Sequence, residues 1–242
     1  MKKNLDVFIS GETIDLVVPS KFLIKKSNWH NWFNDDKFTK YLTGHGLYPN
    51  TLANQLEFVE KMINSNKKKE SLYLFISEKK KRKIIGVAAL SKIDWTNKSA
   101  YMSIVISPER HKNFIFNSVE AKALLTKHAF EKFNLNKIKT SQVLELSEWQ
   151  KYSFLLGYKV EGISREYFLR NNIYYNVCFH SCLLNDFLIA KKKLGENLWP
   201  GKKKFFEIMM KLPKADIYKK ISKIICKENL LYEQKIKNFL NE

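Results

Sequence analysis

The sequence predicts an α/β fold, in which a mixed central sheet of about seven strands is flanked by about four helices and followed by a helical C-terminal extension. Three observations lead to this prediction. Between Ala100 and Gly157, hydrophobic periodicity runs in the order strand, loop, helix, strand and helix. Short apolar runs typical of strands lie on both sides of that segment. In residues 190–242, lysine clusters alternate with apolar stripes at helical spacing. We therefore predict a domain at residues 1–188 and a basic helical extension at residues 189–242.

The first part of the predicted domain combines one opening strand with two helices. Residues 7–18 alternate between apolar and polar positions, and Pro19 ends the run. A helix that begins near Ser27 carries tryptophan and phenylalanine side chains on one face. A second helix begins after residue 50 or 51, where an asparagine or a threonine can cap it.

The rest of the predicted sheet contains a meander and a crossover. Strands are expected at residues 72–76, 84–93 and 100–107. A helix at residues 118–133 and a strand at residues 137–144 follow, and a short helix then ends before Gly157, a residue suited to a helix C-terminus. Two last strands are joined by a turn at residues 170–172.

The composition limits the class of protein. The 242 residues carry a formal net charge of +19, and 45% of them are hydrophobic. No run of eighteen or more apolar residues and no signal peptide is present, so we expect a cytoplasmic protein without a transmembrane segment. The three cysteines have neither metal-ligand nor disulfide spacing, and we expect no metal ion. Lysine runs at residues 67–69 and 79–83 favour a solvated basic surface over a specific polyanion site, and such a surface still attracts phosphate-bearing ligands.

The loop before the predicted helix at residues 118–133 is a candidate anion site. A helix N-terminus exposes backbone N–H groups and the positive end of the helix dipole, and both favour a bound phosphate. The side chains that could add charge or hydrogen bonds are Arg110, Lys112, Asn113, Asn117 and Ser118. Phe114, Ile115 and Phe116 are bulky where glycines usually let a phosphate approach. A simple strand-to-helix connection without a ligand is the alternative.

Two other places carry side chains suited to proton transfer. His45 lies between Gly44 and Gly46 in a polar loop, which leaves its imidazole free to act as a general acid or base. Tyr152 and Ser153 precede the helix-ending glycine, and because consecutive residues lie about 100° apart on a helix, only one of them is expected to face a cleft. Either hydroxyl is a candidate acid, and either could equally be a packed or capping group.

Polar and aromatic side chains lie shortly before the His45 loop in the sequence. Asn34 and Asp35 are hydrogen-bond acceptors suited to a hydroxyl or an ammonium group, and Trp32 precedes them on the same predicted helix. We therefore assign substrate binding to Trp32, Asn34, Asp35 and His45.

Residues 8–186 contain a set of recognisable segments. They are ISGETIDLVVPS, WFNDDKFTKYL, IIGVAALSKIDWTNKSAYMSIVIS, LNKIKTSQVL and LLGYKVEGISREYFLRNNIYYNV. Together they resemble the GNAT superfamily of acyl-CoA-dependent N-acyltransferases, and the last segment is the most specific. Within the superfamily, these motifs most resemble the branch that contains ribosomal-protein N-terminal and nucleotide-sugar N-acetyltransferases. The run TGHGLYPNT resembles members that act on amino sugars attached to nucleotides.

This resemblance implies a set of roles. Backbone groups near Ile104 and Ile106 would contact the pantetheine arm of acetyl-CoA, the implied acyl donor, and residues 113–118 would hold its pyrophosphate. The family pattern of Gln or Arg, then Gly, then Gly or Ala falls here on Asn113, Phe116 and Ser118. The position of the family's tyrosine acid falls on Ser153, with Tyr152 one residue away.

The leading hypothesis is an N-acetyltransferase for a small amine, in particular an amino sugar carried on a nucleotide in surface-glycan biosynthesis. One alternative is a catalytically degenerate GNAT-fold binding or scaffold protein, which the glycine-free loop favours. Another is a protein N-terminal acetyltransferase, which would need an open peptide groove. A homodimer partner and an anionic surface for the basic extension are further expectations, although packing of the extension against the domain or a second subunit is favoured.

Overall fold

The structure is a computed structural model that describes residues 5–107, 114–146, 148–213 and 217–240. The strands are β1 Val7–Ser10, β2 Ile14–Val17, β3 Leu72–Glu78, β4 Lys83–Asp94, β5 Ser99–Ile106, β6 Lys137–Val143, β7 Lys159–Arg170 and β8 Ile173–Leu183. The helices in these ranges are α1 Lys21–Lys25, α2 Trp29–Trp32, α3 Asp36–Thr39, α4 Leu52–Lys67, α5 Phe114–Glu131, α6 Glu148–Leu155, α7 Leu184–Lys193, α8 Lys202–Lys211 and α9 Ile217–Leu240.

The eight strands of the described ranges form one mixed sheet in the order β1-β2-β3-β4-β5-β6-β8-β7. Neighbouring strands are antiparallel except for β5 and β6, which are parallel. The connection from β5 through α5 to β6 is the crossover that a parallel pair requires. The parallel pair therefore marks the place where the sheet changes its connectivity.

Apolar side chains cover both faces of the sheet. On the face that we name the α4 face, Phe75 and Val87 pack with Trp29 and with residues of α1 and α4. On the other, the α5 face, Leu90 and Ile138 pack beneath α5 and α6. Burying a large apolar side chain stabilises the fold by about 1.5–3 kcal/mol, so both layers hold the helices in place.

The chain beyond β8 continues the layer on the α5 face. Trp199 and Phe205 are buried in the same cluster as α5. Trp199 Nε1 and the backbone N of Lys202 donate hydrogen bonds to Glu12 Oε2 at 2.9 and 2.7 Å, which fixes α8 on the turn between β1 and β2. In α9, by contrast, every residue from 226 to 240 is exposed. None of the helices in the described ranges has the length and apolar character needed to span a membrane.

The predicted α/β architecture with a helical C-terminal part is confirmed, with three local differences. The single opening strand predicted from the sequence is a pair, β1 and β2, because the backbone N of Gly11 donates to Ile14 O at 2.9 Å and closes a turn. The helix predicted from Ser27 is broken, since Asp35 accepts a hydrogen bond from the backbone N of Lys37 at 2.8 Å and caps a separate α3. The helix predicted to begin at residue 118 begins at residue 114.

Candidate active site

The sheet opens between β5 and β6. Their pairing is limited to Ser99 with Lys137, Ala100 with Ile138 and Tyr101 with Lys139. Beyond these residues, β5 continues to Ile106 along β4, and β6 continues to Val143 along β8. In the described part of the chain, no strand pairs with the facing edges beyond these residues, so the two strands leave a gap between them and the backbone groups along it need other partners.

Strand alternation sorts the side chains of this gap onto the two faces of the sheet. The side chains on the α5 face are Met102 and Ile104 of β5 and Thr140 and Gln142 of β6. Ser103 and Ser141 are exposed on the α4 face, each two residues beyond the Tyr101–Lys139 pair. Side chains beside the gap therefore face both sides of the sheet, with a pair of small hydroxyl side chains at the α4 face.

The predicted pantetheine contacts, Ile104 and Ile106, lie on the part of β5 that has separated from β6. On their other side they pair with Ala88 and Gly86 of β4. One edge of this part of β5 is therefore held in the sheet, while the edge that faces the gap is open.

The predicted anion site lies partly outside the described residues, which exclude Arg110, Lys112 and Asn113. Asn117 is buried, and its Oδ1 accepts a hydrogen bond from Thr13 Oγ1 at 2.9 Å. Ser118 Oγ donates to the carbonyl of Phe114 at 2.9 Å. Both side chains are thus engaged within the protein, whereas the first N–H groups of α5 have no partner inside the helix.

Aromatic side chains fill the space between α5, α6 and α8. The ring of Phe114 lies 5.6 Å from that of Trp149, and the ring of Phe116 lies 5.7 Å from that of Phe205. Tyr152 belongs to the same cluster, with its ring 5.7 Å from Phe205, and it is only 5% exposed. The bulky residues that the sequence places at the start of α5 therefore connect this helix to α6 and α8.

Ser153 contacts α5. Its Oγ accepts a hydrogen bond from Lys122 Nζ at 2.7 Å, and the same ammonium lies 4.0 Å from the centroid of the Tyr158 ring. Burial lowers the pKa of Lys122 to about 7, although the thiol of Cys182 acts in the opposite direction. The sequence reasoning missed Lys122, because a single lysine on a long helix has no spacing or neighbour that distinguishes it.

The glycine-flanked loop that contains His45 packs against the α4 face. The His45 ring lies 4.8 Å from the ring of Phe33. Arg170 is buried at the end of β7 and donates hydrogen bonds to the carbonyls of Leu42, at 3.0 Å, and of His45. Partial burial, and then the positive charge of Arg170, hold the pKa of His45 below its ordinary value. The imidazole is consequently neutral at neutral pH and able to accept a proton.

The other predicted substrate contacts support this loop. Trp32 is buried, with its ring 5.2 Å from that of Trp29. Asn34 Nδ2 donates to the carbonyl of Asn50 at 2.8 Å, and Asn34 Oδ1 accepts from the backbone N of Asn50 at 2.7 Å. Asp35 caps α3. All three side chains have partners within the protein, and their contact with a substrate stays a prediction.

Taken together, a mixed sheet that opens at its parallel pair, with a crossover helix on one face and a glycine-flanked loop on the other, defines the class of N-acyltransferase folds that the sequence resembles. Residues 26–143 match the family model described as an acetyltransferase (GNAT) domain. This match confirms the resemblance of that part of the chain to GNAT acetyltransferases. Within the described residues, no group of three or more His, Cys, Asp or Glu is arranged to hold a metal ion.

Solved structures show the same fold. A spermidine N-acetyltransferase from Vibrio cholerae, in complex with CoA and spermine, is 21% identical over 74% of this chain and 99% of its own, with a TM-score of 0.63. The microcin C7 self-immunity acetyltransferase MccE, in complex with acetyl-CoA and AMP, is 20% identical over 72% of this chain and 93% of its own, with a TM-score of 0.60. A GCN5-related N-acetyltransferase from Brucella melitensis is 18% identical over 79% and 85% of the two chains, with a TM-score of 0.60.

Among curated protein sequences, no match is found. The matching solved structures confirm the GNAT fold. Their sequence identities to this chain are too low to indicate its acceptor substrate. They do not confirm the branch of ribosomal-protein N-terminal and nucleotide-sugar enzymes that the motifs suggested.

Proposed function

We propose that this protein transfers an acetyl group from acetyl-CoA to the nitrogen of a small amine. The observation that carries the proposal is the gap between β5 and β6, which joins the Ser153 side of the sheet to the His45 side. When bound, acetyl-CoA supplies the acyl group as an activated thioester. Holding an amine and an acyl group in one gap can lower the barrier by about 7–11 kcal/mol, since the reaction becomes effectively intramolecular.

The α5 face offers two kinds of group to the donor. The open edge of β5 near Ile104 and Ile106 provides N–H and C=O groups for the amides of a pantetheine arm. The first turn of α5 provides N–H groups and a positive dipole end for a pyrophosphate. Arg110, Lys112 and Asn113 would add charge and hydrogen bonds there, whereas the side chains of Asn117 and Ser118 would first have to leave their partners within the protein.

Proton transfer would use groups on both faces. His45, neutral near pH 7, removes a proton from the attacking amine directly or through water. On the opposite face Ser153 returns a proton to the leaving sulfur, and Tyr152 is the alternative acid. Backbone N–H groups of β5 stabilise the negative charge that develops on the acyl oxygen.

For the acceptor, we propose an amino sugar carried on a nucleotide as the substrate within the class of small amines. The support is the TGHGLYPNT loop and the net charge of +19. A strongly basic surface attracts an acceptor that carries phosphate and repels a polyamine, so the charge favours a nucleotide-linked amine over a spermidine-like one. The two exposed serines at the α4 face of the gap, Ser103 and Ser141, are suited to hydrogen bonds with sugar hydroxyls.

One observation favours a second candidate function. Phe114 and Phe116 contact aromatic residues of α6 and α8 at the start of α5, where a pyrophosphate would have to approach. A GNAT-fold protein that no longer binds acetyl-CoA and serves as a scaffold would tolerate such a cluster. Measurable turnover excludes this candidate.

The proposal also assigns a role to the C-terminal part of the chain. We keep residues 1–188 as the transferase domain and residues 189–242 as an extension, although α7 crosses this boundary; α7 and α8 both pack in the cluster on the α5 face. In α9 the apolar residues Ile224, Leu231 and Phe239 are exposed, and the helix also carries six lysines against two glutamates. A basic amphipathic helix of this kind suits an anionic membrane surface, whereas a homodimer through α9 would bring like charges together. The predicted cytoplasmic location stays a prediction.

Calorimetry with acetyl-CoA, followed by a thiol-release assay, tests the proposed function. The acceptors are a nucleotide-linked amino sugar, spermidine and a peptide with a free N-terminus, and the sugar is expected to react fastest. Ser103→Trp should fill the gap and abolish turnover, while Asn64→Trp, at an exposed position of α4, should not. The absence of both binding heat and a thermal shift at high acetyl-CoA concentration would refute the proposal.

A further inference from the structure

Lys122 is a half-buried lysine that the functions assigned so far leave unused. It projects from the middle of α5 and joins two other elements, because its Nζ donates to Ser153 Oγ of α6 at 2.7 Å and lies 4.0 Å from the ring centroid of Tyr158, the residue before β7. A lysine held by a hydroxyl and an aromatic ring, with no carboxylate among these two partners, is an uncommon arrangement, since buried charges in proteins are usually paired.

The cluster around Lys122 lies where the two central strands separate. On the β5 side, Tyr158 Oη lies 3.5 Å from the sulfur of Met102, the first β5 residue beyond the paired stretch. On the β6 side, the charge of Lys122 acts on His180, whose partner in β6 is Thr140, the first residue beyond the paired stretch of that strand. Lys122 therefore lies over the apex of the gap, between its two edges.

The groups around Lys122 leave it able to gain or lose a proton near neutral pH. The ionisable groups that face it are Tyr158, His180 and Cys182. Burial, followed by the effect of Lys122, lowers the pKa of His180 to about 4, and burial raises the pKa of Cys182 to about 12. Burial also raises the pKa of Tyr158 well above its ordinary value. These three groups are therefore neutral near pH 7, and Lys122 is the member of the cluster that exchanges a proton in that range.

We propose that Lys122 supplies, through Ser153, the proton that the departing sulfur takes up during acetyl transfer. The inference rests on the proposed function and names the source of its acid. As the amine nitrogen bonds to the acyl carbon and the carbon–sulfur bond breaks, the Ser153 hydroxyl gives its proton to the sulfur. The Lys122 ammonium gives a proton to Ser153 Oγ in the same movement. The proton lost by the amine leaves through His45 or water, and Lys122, now neutral, regains a proton from solvent.

Lys122 acts through another side chain, and it is therefore a positioning and proton-supplying residue, whereas Ser153 touches the reacting sulfur. The pair explains how a serine can stand at the position where related proteins carry a tyrosine. A serine hydroxyl is a weak acid by itself, and an adjacent ammonium makes its proton easier to release by replacing it at once.

The pH profile of kcat tests the relay. It is measured by thiol release, with acetyl-CoA and the acceptor that wild type acetylates fastest, in wild type, Lys122→Met, Ser153→Ala and the control Lys127→Met on another side of α5. In wild type, kcat is expected to fall as the pH rises through about 7, because the ammonium is lost. Lys122→Met should lower kcat by about 10²-fold and remove this alkaline limb, with a smaller change in the KM for acetyl-CoA. Lys127→Met should match wild type.

A second readout does not depend on turnover. Competitive labelling of lysines with acetic anhydride at a series of pH values, mapped by mass spectrometry, reports the titration of Lys122 in the intact protein. A midpoint near pH 7 supports the relay, and a midpoint above pH 10 overturns it. An active Lys122→Met variant that keeps the alkaline limb also overturns the relay but leaves the proposed function intact. A wild type that neither binds acetyl-CoA nor acetylates any acceptor overturns both.

Discussion

Phe205 offers the sharpest test of how the C-terminal part is joined to the domain. It is fully buried, and its ring lies 5.7 Å from Phe116 of α5, 5.7 Å from Tyr152 of α6 and 5.2 Å from Trp199. Removing a buried phenylalanine costs about 3–5 kcal/mol, because apolar burial is lost and a cavity remains. The three aromatic pairs, at roughly 0.5–1.5 kcal/mol each, place Phe205→Ala towards the upper part of that range.

Thermal and urea unfolding of the full chain measure this effect. A loss of about 4 kcal/mol lowers Tm by roughly 8–16 °C for a protein of this size. Phe206→Ala is the matched control, since Phe206 lies on the same helix but is 49% exposed. We expect a change below about 1 kcal/mol for the control.

The number of unfolding transitions shows which helices unfold together. A single transition that moves as a whole in Phe205→Ala means that α8 unfolds together with α5 and α6. Two outcomes would refute the reasoning: equal small effects of the two substitutions, or an early separate transition of the C-terminal part followed by an unchanged main one. The second outcome would show that α8 is an independent unit that merely rests on the domain.

Three further predictions concern the loop and the last helix. For His45→Gln we expect kcat/KM to fall by about 10²-fold or more. In wild type, kcat/KM should decline at a pH below the ordinary histidine pKa, where His45 becomes protonated, and this decline should be absent in His45→Gln. Arg170→Ala should cost about 2–3 kcal/mol in urea unfolding because the carbonyls of the loop lose a charged donor, whereas Arg165→Ala, at an exposed position, should be neutral. Sedimentation with phosphatidylserine-containing vesicles should retain the protein at low salt. Phe239→Glu should weaken that retention about tenfold, and equal binding to uncharged phosphatidylcholine vesicles would contradict the electrostatic part of the proposal.

The order of strands and helices could be predicted because it depends on local patterns. Apolar alternation and helical spacing can be recognised in the sequence without knowledge of the tertiary contacts. They predicted the crossover from β5 through α5 to β6. The division of the opening segment into β1 and β2 was not visible, since the apolar alternation continues across Gly11 while the turn depends on one hydrogen bond from its backbone. The separate α3 depends likewise on a cap by Asp35.

The candidate site was predictable only where chemistry and position coincide in the sequence. His45 became a candidate because glycines on both sides give it a distinctive setting, and Ser153 because the family resemblance places the tyrosine acid position there. Lys122 gave no such signal, because the lowering of its pKa arises from burial beside Ser153, Tyr158 and Cys182, which are far away in the chain. The same holds for Arg170, whose hydrogen bonds to the loop span more than a hundred residues.

Because the gap between β5 and β6 is bordered by both faces of the sheet, we expect the proposed donor and acceptor to arrive each from its own side without passing the other. Neither substrate has to leave before the second one binds, so the kinetic mechanism should be sequential, with intersecting double-reciprocal plots. Free CoA should then compete with acetyl-CoA but not with the amine. These plots also distinguish direct transfer from transfer through an acyl-serine, for which Ser153 beside Lys122 would be the nucleophile. An acyl-serine intermediate would produce parallel lines instead of intersecting ones.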